Sequence, residues 1–453
     1  MIPSSQHSLS VNFVRDLADL HNRIDEATLK KSRDCFLDFL GVTLGGARDL
    51  HAKHQGILNS LTSPTASFSV LGSHAKADML TAALLNGMSA HQLELDDGHR
   101  YGMVHPGATV IAALLPLAQA TNADDVALLR AVVVGYEAAI RLAMAVQPGM
   151  KHRGYHATGT CGAIGAAMGA GFLLGQDQKA LHTTLCVAAT QSAGLLQVIR
   201  GGSDLKPFNA GQAALHGLLA ATMGGAGFCG PADVFAGEQG LLKILSDLPD
   251  PSQLDGVNKK IPAIHGIYVK LYAACRHCHP AIEAALALRK TESFNLAEVY
   301  SVRVETYGLA VHLHDHRQVE NSADARMSTP YSVAAALRFG AADMDQFTAE
   351  ALIDSDLMRV CHSVEVGEDP TFTARVPHER GARVTIAFKS GRSIQQTVPL
   401  PKGEPENPIE PAEHLAKFRG LASYAGLDED RIDDIISYVR GGKKGIAQLC
   451  ATL

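Results

Sequence analysis

Apolar positions recur at helical spacing through the first 260 residues, then give way to strand-like alternation. Residues 13 to 45 hold two helical patterns. In the second, Ala27–Phe39, Leu29, Cys35, Phe36 and Phe39 fall at steps near three and four, as one buried helix face requires. Leu80–Met88 and Val110–Ala120 read as further helices. Leu128–Val146 is apolar almost throughout, interrupted by Arg130, Glu137 and Arg141, which predicts a central helix. Glycines at 159, 162, 165, 169, 171 and 175 superficially suggest a dinucleotide loop. No β-branched strand precedes them, and small residues at steps of three and four suit close helix–helix packing instead. Beyond residue 260, Val302, Val304 and Thr306 alternate with charged positions, as in a half-buried strand. Arg383–Phe388 and Ser393–Val398 flank Lys389-Ser-Gly-Arg392, a hairpin pattern. A proline-rich strap (399–408) follows, then helical patterns at Ala412–Phe418 and Glu429–Tyr438. The texture predicts a mainly α fold: a large all-helical domain over residues 1–262, an α+β domain over 263–403, and a helical tail, 404–453. That tail is too short to bury a core alone and is expected to pack on the first domain.

The 453 residues suffice for two or three domains, and 46% hydrophobic against 19% charged residues is the balance of a globular chain. A formal charge of −6 and the lack of any Lys/Arg-rich run argue against nucleic acid and a membrane surface as partners. The most apolar segments are too short to span a bilayer, and Met1–Ser8 does not look like a signal peptide. The eight cysteines, at 35, 161, 186, 229, 275, 278, 361 and 450, therefore read as reduced thiols of a cytoplasmic protein.

Four polar clusters interrupt this background. His91–Thr109 holds Glu94, Asp96, Asp97, His91, His99, His105 and Arg100 between two helical segments. It is either a solvated connection whose acids cap the next helix or a loop carrying chemistry between rigid elements. The second, Lys151–Thr160, includes Tyr155 and His156; Thr158 or Thr160 is placed to cap the small-residue helix. The third, Arg200–Gly211, includes Lys206, which sits before a proline and so in extended backbone. The fourth, Lys270–Glu283, includes Cys275, Arg276, Cys278 and His279. Its Cys-x-x-Cys-His string matches c-type haem attachment, but that needs export, and a structural zinc site would need a distant second ligand pair. A lysine or histidine in each cluster, with several carboxylates in one, suits a site that grips a small polycarboxylate and moves a proton on carbon. No phosphate loop, nicotinamide fingerprint or metal set accompanies them, so chemistry without a cofactor is expected.

These strings resemble the 2-methylcitrate dehydratase superfamily, the MmgE/PrpD family, which includes cis-aconitate decarboxylase and iminodisuccinate epimerase. The resemblance covers nearly the whole chain. It rests on the loop ending in His105-Pro106, Tyr155-His156-Ala-Thr158-Gly159-Thr160, Lys206-Pro207-Phe208-Asn209-Ala-Gly211, and Lys270 with His279-Pro280-Ala-Ile282. Ala325-Arg-Met-Ser328-Thr-Pro-Tyr331 and Lys402-Gly403-Glu-Pro405-Glu-Asn407-Pro408 add to it. It implies a helical domain completed by the tail, a smaller α+β lid, a homodimer, and an active site between the domains lined by the acidic loop, His105, His156, Lys206 and Lys270. This chain differs from relatives at Glu94 (commonly aspartate), at Gly98-His99, and at Met103-Val-His105-Pro106, where the dehydratases carry a tryptophan-containing string. Cys275 stands where the mammalian decarboxylases have histidine.

The expected chemistry is formation or protonation of a carbanion beside a carboxylate. Lys206 and Lys270 are expected to bind carboxylate and stabilise the intermediate, with His99, Arg276 and His279 as further binding candidates. His105 and His156 are the expected proton-transfer pair; Asp97 or Glu94 orients a histidine or acts as base, and Tyr155 supplies a second proton. Elimination would make a dehydratase, loss of carbon dioxide a decarboxylase, and return of the proton to the other face an epimerase. A carboxylate-binding protein without turnover is the alternative of another class.

Overall fold

The computed structural model describes residues 8–61, 66–200 and 202–441, together with 445, 449 and 453. It is mainly α, with 60% helix and 9% strand. The two opening patterns are α1 (Leu9–Asn22) and α2 (Glu26–Leu61). The sequence pattern carries α2 only to Phe39, yet the helix continues through Gly45-Gly46. A Cβ on Gly46 would collide with the backbone carbonyl of Ser89, so the missing side chain lets a neighbouring helix lie against α2.

That neighbour is α3 (Met79–Gln92), whose first turn is capped by Asp78 through the amides of Leu80 and Thr81. The short strands β1 (Phe68–Ser69) and β2 (Lys76–Ala77) pair before it. After it come α4 (Gly107–Thr121), α5 (Asp125–Val146), the single-turn α6 (Gly149–His152), α7 (Ala157–Leu173), α8 (Gln178–Gln191) and α9 (Lys206–Gly225). α5 and α7 form the centre of this body, as the apolar run and the glycine ladder predict. A Cβ at Gly165 would stand 2.5 Å from the carbonyl oxygen of Gly135, so the two helices touch through their backbones. Glu137 and Arg141, the two charges fully inside α5, neutralise each other at 2.7 Å.

A second antiparallel contact joins β3 (Gly98–His99) to β4 (Ile267–Tyr268) and ties the acidic loop to the segment entering the α+β part. There, β5 (Val299–Thr306), β6 (Val364–Glu368), β7 (Ala382–Phe388) and β8 (Ser393–Val398) form a sheet in the order β6-β5-β7-β8, with β5 and β6 parallel and the other pairs antiparallel. Val302, Val304 and Thr306 point inward on β5. The helix His279–Thr291 covers β7 and β8. The tail helix Pro411–Tyr424 returns to α2, with Phe418 and Leu421 filling the space above Gly41. From it, Lys417 donates to Asp38 at 2.6 Å and to the Leu95 carbonyl at 2.8 Å, so the end of the chain fixes the backbone of the acidic loop. The seven cysteines among the described residues are free; Cys450 lies outside them. No described helix is long and apolar enough to cross a membrane.

Candidate active site

The four clusters converge. Residues from the acidic loop, α6 and its following turn, the start of α9, and the segment after Lys270 line one cavity, among them His105, Lys151, Tyr155, His156, Lys206, Cys275, Arg276 and Arg380. A larger open groove between α2 and the strap, about 770 Å³ in volume, has no comparable convergence of imidazoles.

The acidic loop is held tightly. Glu94 has a left-handed backbone (φ 54°), a conformation costly for a non-glycine residue and tolerated where the surroundings impose it. Met103 (φ 51°) and Leu313 (φ 75°), which both line the cavity, share that conformation. Glu94 accepts from Lys206 through one carboxylate oxygen and from Lys270, at 3.2 Å, through the other. Lys270 is fully buried and also lies 3.7 Å from Asp96. Burial alone would push the Glu94 carboxyl up, but the two ammonium groups hold it well below the usual range. Asp96 is similarly resisted by burial and held down by His91, His105 and Lys270. Two carboxylates and two lysines thus form a self-neutralised buried quartet. Lys206 is the first residue of α9 rather than extended backbone: the helix begins at the residue before the proline.

The histidines are held in definite tautomers. His105 Nδ1 donates to the carbonyl of Asp97 at 2.6 Å, which leaves Nε2 as the acceptor. Burial pushes its pKa down to about 3 despite Asp96, so this imidazole is neutral. His156 is the reverse case. The Asn209 amide nitrogen lies 3.3 Å from the Leu195 carbonyl and 3.1 Å from His156 Nδ1. The carbonyl demands a donor, so Asn209 presents NH₂ to both, and His156 carries its proton on Nε2. Burial, with His91 next, holds this ring neutral too. One neutral imidazole accepts and the other donates. His91, hydrogen bonded to Asp96 at 2.6 Å, packs beside both, with ring centroids 5.0 and 5.7 Å away.

His91, Asp96 and His105 together offer ligand atoms within 4.8 Å of one another, a grouping the sequence reading missed. Their chemistry fits a proton network better than a metal. Lys270 already supplies Asp96 with positive charge, and the His105 nitrogen nearest Asp96 is spent on a backbone carbonyl. A dication there would face both ammonium groups of the quartet.

Other expected site residues lie elsewhere. The Asp97 carboxylate does not line the cavity; it accepts from Tyr136 Oη at 2.7 Å and from the Gly107 amide at 3.1 Å. Burial lifts its pKa to about 7, with Tyr136 opposing and Asp38 and Asp96 adding to the rise. It reaches the site only through its backbone carbonyl. His99 is packed in β3, accepting from the Gly102 amide at 3.2 Å, away from the cavity. His279 accepts from Arg276 at 3.0 Å and donates to the Ala274 carbonyl at 3.2 Å, so it braces Arg276 and meets no ligand. Arg276 does reach the cavity wall, but its guanidinium is spent on Glu404 of the strap, at 2.9 and 3.1 Å, and on the carbonyls of Pro401 and Lys402. Neither Thr158 nor Thr160 caps α7. The first accepts from the His105 amide, and the second donates to the carbonyls of His156 and Ala193. Tyr155 lines the cavity beside His156.

In sequence Cys275 stands out as part of a haem-like string and as the position where the mammalian decarboxylases have histidine. Its Sγ lies 3.8 Å from Nε2 of His314, whose Nδ1 donates to the Met327 carbonyl at 2.8 Å. Burial would raise the thiol, but His314 and then Lys206 bring it down to about 6. His314, Lys151 and Arg380 carry no motif that singles them out, and only the fold brings them to the cavity.

The fold is thus a mainly helical body with a smaller α+β part, and between them lies a cavity where neutral imidazoles of opposite tautomer meet lysines. The chain belongs to the MmgE/PrpD family: the N-terminal domain model of that family matches residues 13–254 and the C-terminal domain model residues 272–439. Among its relatives is a cis-aconitate decarboxylase-like protein, oryM, of Aspergillus oryzae, 26% identical over 90% of this chain and 88% of that one. The cis-aconitate decarboxylase of Aspergillus terreus is 25% identical over 92% and 89%, and that of Homo sapiens 23% over 92% and 88%. The family is thus one related to lyases.

Proposed function

We propose that the chain is a lyase acting on a small di- or tricarboxylic acid, by proton transfer at a carbon next to a carboxylate, in the manner of a 2-methylcitrate dehydratase or cis-aconitate decarboxylase. The observation that carries this reading is the His105/His156 pair: two neutral rings on one cavity, one with a free acceptor nitrogen and the other with an N–H. His105 Nε2 takes the proton from carbon. The charge that develops on the carboxylate oxygens falls beside Lys206 and the His156 N–H, which are fixed before the reaction and need no reorganisation. In a dehydration His156 gives its proton to the departing hydroxyl, so that water leaves; in a decarboxylation no C–H proton is taken, and His156 protonates the carbanion left as carbon dioxide departs. The relatives' names support the substrate class.

The test is proton NMR in deuterated buffer with methylcitrate, citrate, cis-aconitate and iminodisuccinate. New olefinic signals, abolished in His105→Gln by about 10²–10⁴-fold in rate, are the expected result. Full activity in that variant would remove the assignment. Tyr155 next to His156 supports a second outcome, epimerisation of an iminodisuccinate-like acid. It would appear as exchange of the α-proton without loss of water or carbon dioxide. Ligand binding without either change would make the chain a carboxylate-binding protein.

A further inference from the structure

The charges around the cavity do not balance evenly. Lys206 and Lys270 are matched by Glu94 and Asp96, and Arg276 by Glu404, which Arg100 also reaches at 3.1 Å. Cys275, beside His314 on the same wall, opposes the lowering of the Lys151 pKa but is no carboxylate partner. Two cations on the wall remain. Arg380, in the loop ahead of β7, is 4% exposed. One of its terminal nitrogens donates to the Arg100 carbonyl, its Nε has no protein acceptor, and no carboxylate pairs with it among the described residues. Lys151, half-buried on α6, likewise has no acidic partner among them. It lies near enough to Arg380 for that guanidinium, after burial itself, to help bring its pKa down to about 8. Burying an unpaired guanidinium is costly, and burying it near a second cation costs more. Such an arrangement persists where an anion completes it.

We infer that Arg380 and Lys151 form the anion subsite of this cavity, taking a carboxylate of the substrate remote from the carbon that exchanges its proton. The inference rests on the proposed polycarboxylate substrate and names which residues hold it. Lys206 and Lys270, already quenched by Glu94 and Asp96, then set the shape and local field of the reacting end. The net positive charge that draws the acid in comes from Arg380 and Lys151. Because α6 belongs to the helical body and Arg380 to the loop before the sheet, one carboxylate held by both would bridge the two parts of the chain. A planar guanidinium suits this task, since it can grip both oxygens of a carboxylate.

The test is isothermal titration calorimetry on the full chain with tricarballylate, a saturated tricarboxylate with no hydroxyl to eliminate, so turnover plays no part. Dissociation constants should rise about tenfold or more in Arg380→Gln and in Lys151→Gln, as expected for loss of a charge-assisted hydrogen bond, with Arg380→Lys closer to the parent. Acetate should bind weakly to all of them. Lys151 is only partly buried and makes no salt bridge among the described residues, so Lys151→Gln keeps the test decisive even where Arg380→Gln lowers the melting temperature. Unchanged affinity in Lys151→Gln together with any folded Arg380 variant would overturn the inference, as would a parent protein that does not bind tricarballylate. A parent that binds it, loses it in both variants, and still makes no olefin from any acid would refute the lyase reading while leaving the subsite in place.

Discussion

The two parts of the cavity wall are built on opposite electrostatic plans. The acidic loop, the turn after α6 and the start of α9 contribute His105, His156 and Lys206, backed by Glu94, Asp96 and His91, nearly all bound to one another or to backbone. The segment after residue 272 contributes Cys275, His314 and Arg380, of which Arg380 has no acidic partner among the described residues. The first region is finished before any ligand arrives, and its hydrogen bonds select tautomers. The second is incomplete, and its free charge is the property a ligand would satisfy. The pre-organised reacting groups and the unpaired Arg380 thus come from separate stretches of chain, with Lys151 of α6 on the wall they share.

The largest effect should come from breaking the finished side. Lys270→Met leaves Glu94 and Asp96 buried with only Lys206 and the histidines near them. Breaking a buried ion network in this way typically costs about 3–5 kcal/mol. Urea denaturation should show that loss, and adding Glu94→Gln should recover part of it. If Lys270→Met is as stable as the parent, the quartet is not a closed unit and the contrast between the walls weakens.

Asp97 gives the next effect. Its pKa in the fold is about 7 against an ordinary 3.8, so the folded chain keeps a proton that the unfolded chain has released. The fold therefore loses stability as pH rises from about 4 to 7, and the loss is complete above that window, on the order of 2–4 kcal/mol. Asp97→Asn keeps an acceptor for the Gly107 amide and a polar partner for Tyr136 without the charge. Its melting temperature should exceed the parent's at pH 8 and converge with it near pH 4. Its turnover should stay close to the parent's, because the carboxylate does not line the cavity. A large loss of turnover with unchanged stability would return Asp97 to the catalytic role expected from sequence.

What the chain reveals before folding divides along the same line. The helical body was legible because periodicity and glycine spacing report directly on burial: the runs that became α3, α4, α5 and α7 could all be placed. His105, His156, Lys206 and Lys270 were legible as members of dense polar strings. Asp97 and His99 sit in the same string as Glu94 and Asp96, yet their side chains bind Tyr136 and the Gly102 amide away from the cavity, and composition carries no record of direction. Arg380 and His314 were not legible at all. Each is a single polar residue in a loop, made significant by a tertiary approach that no local pattern encodes. Where helix α2 passed beyond its predicted end, the reason was also tertiary, the approach of α3 at Gly46.

A smaller effect tests the tautomer argument. In Asn209→Asp the donor to His156 Nδ1 becomes an acceptor, so the ring should move its proton to Nδ1 and lose its N–H on the cavity side. Turnover should fall by about tenfold, and nitrogen NMR of the His156 ring should report the switched tautomer. A fall in turnover without that switch would mean that Asn209 acts only through the Leu195 carbonyl, as part of the packing.

The smallest effect on turnover is expected on the unfinished side. Cys275→Ser should leave the rate within about threefold, since the proton pair assigned above does not include the thiol. The same residue should nevertheless be the most readily alkylated of the buried cysteines. His314 brings its thiol down to about 6, whereas burial drives Cys186 and Cys361 up to about 12 and Cys35 and Cys161 higher still. The thiolate is the reacting form, so iodoacetamide at pH 7 should label Cys275 ahead of those four, as peptide mass spectrometry would record. Tricarballylate should slow the labelling, because the anion would occupy the cavity that Cys275 shares with Arg380 and Lys151. In Lys151→Gln that protection should need about tenfold more ligand. Protection that is equal in parent and variant would separate the thiol from the anion subsite and make the two halves of the wall independent.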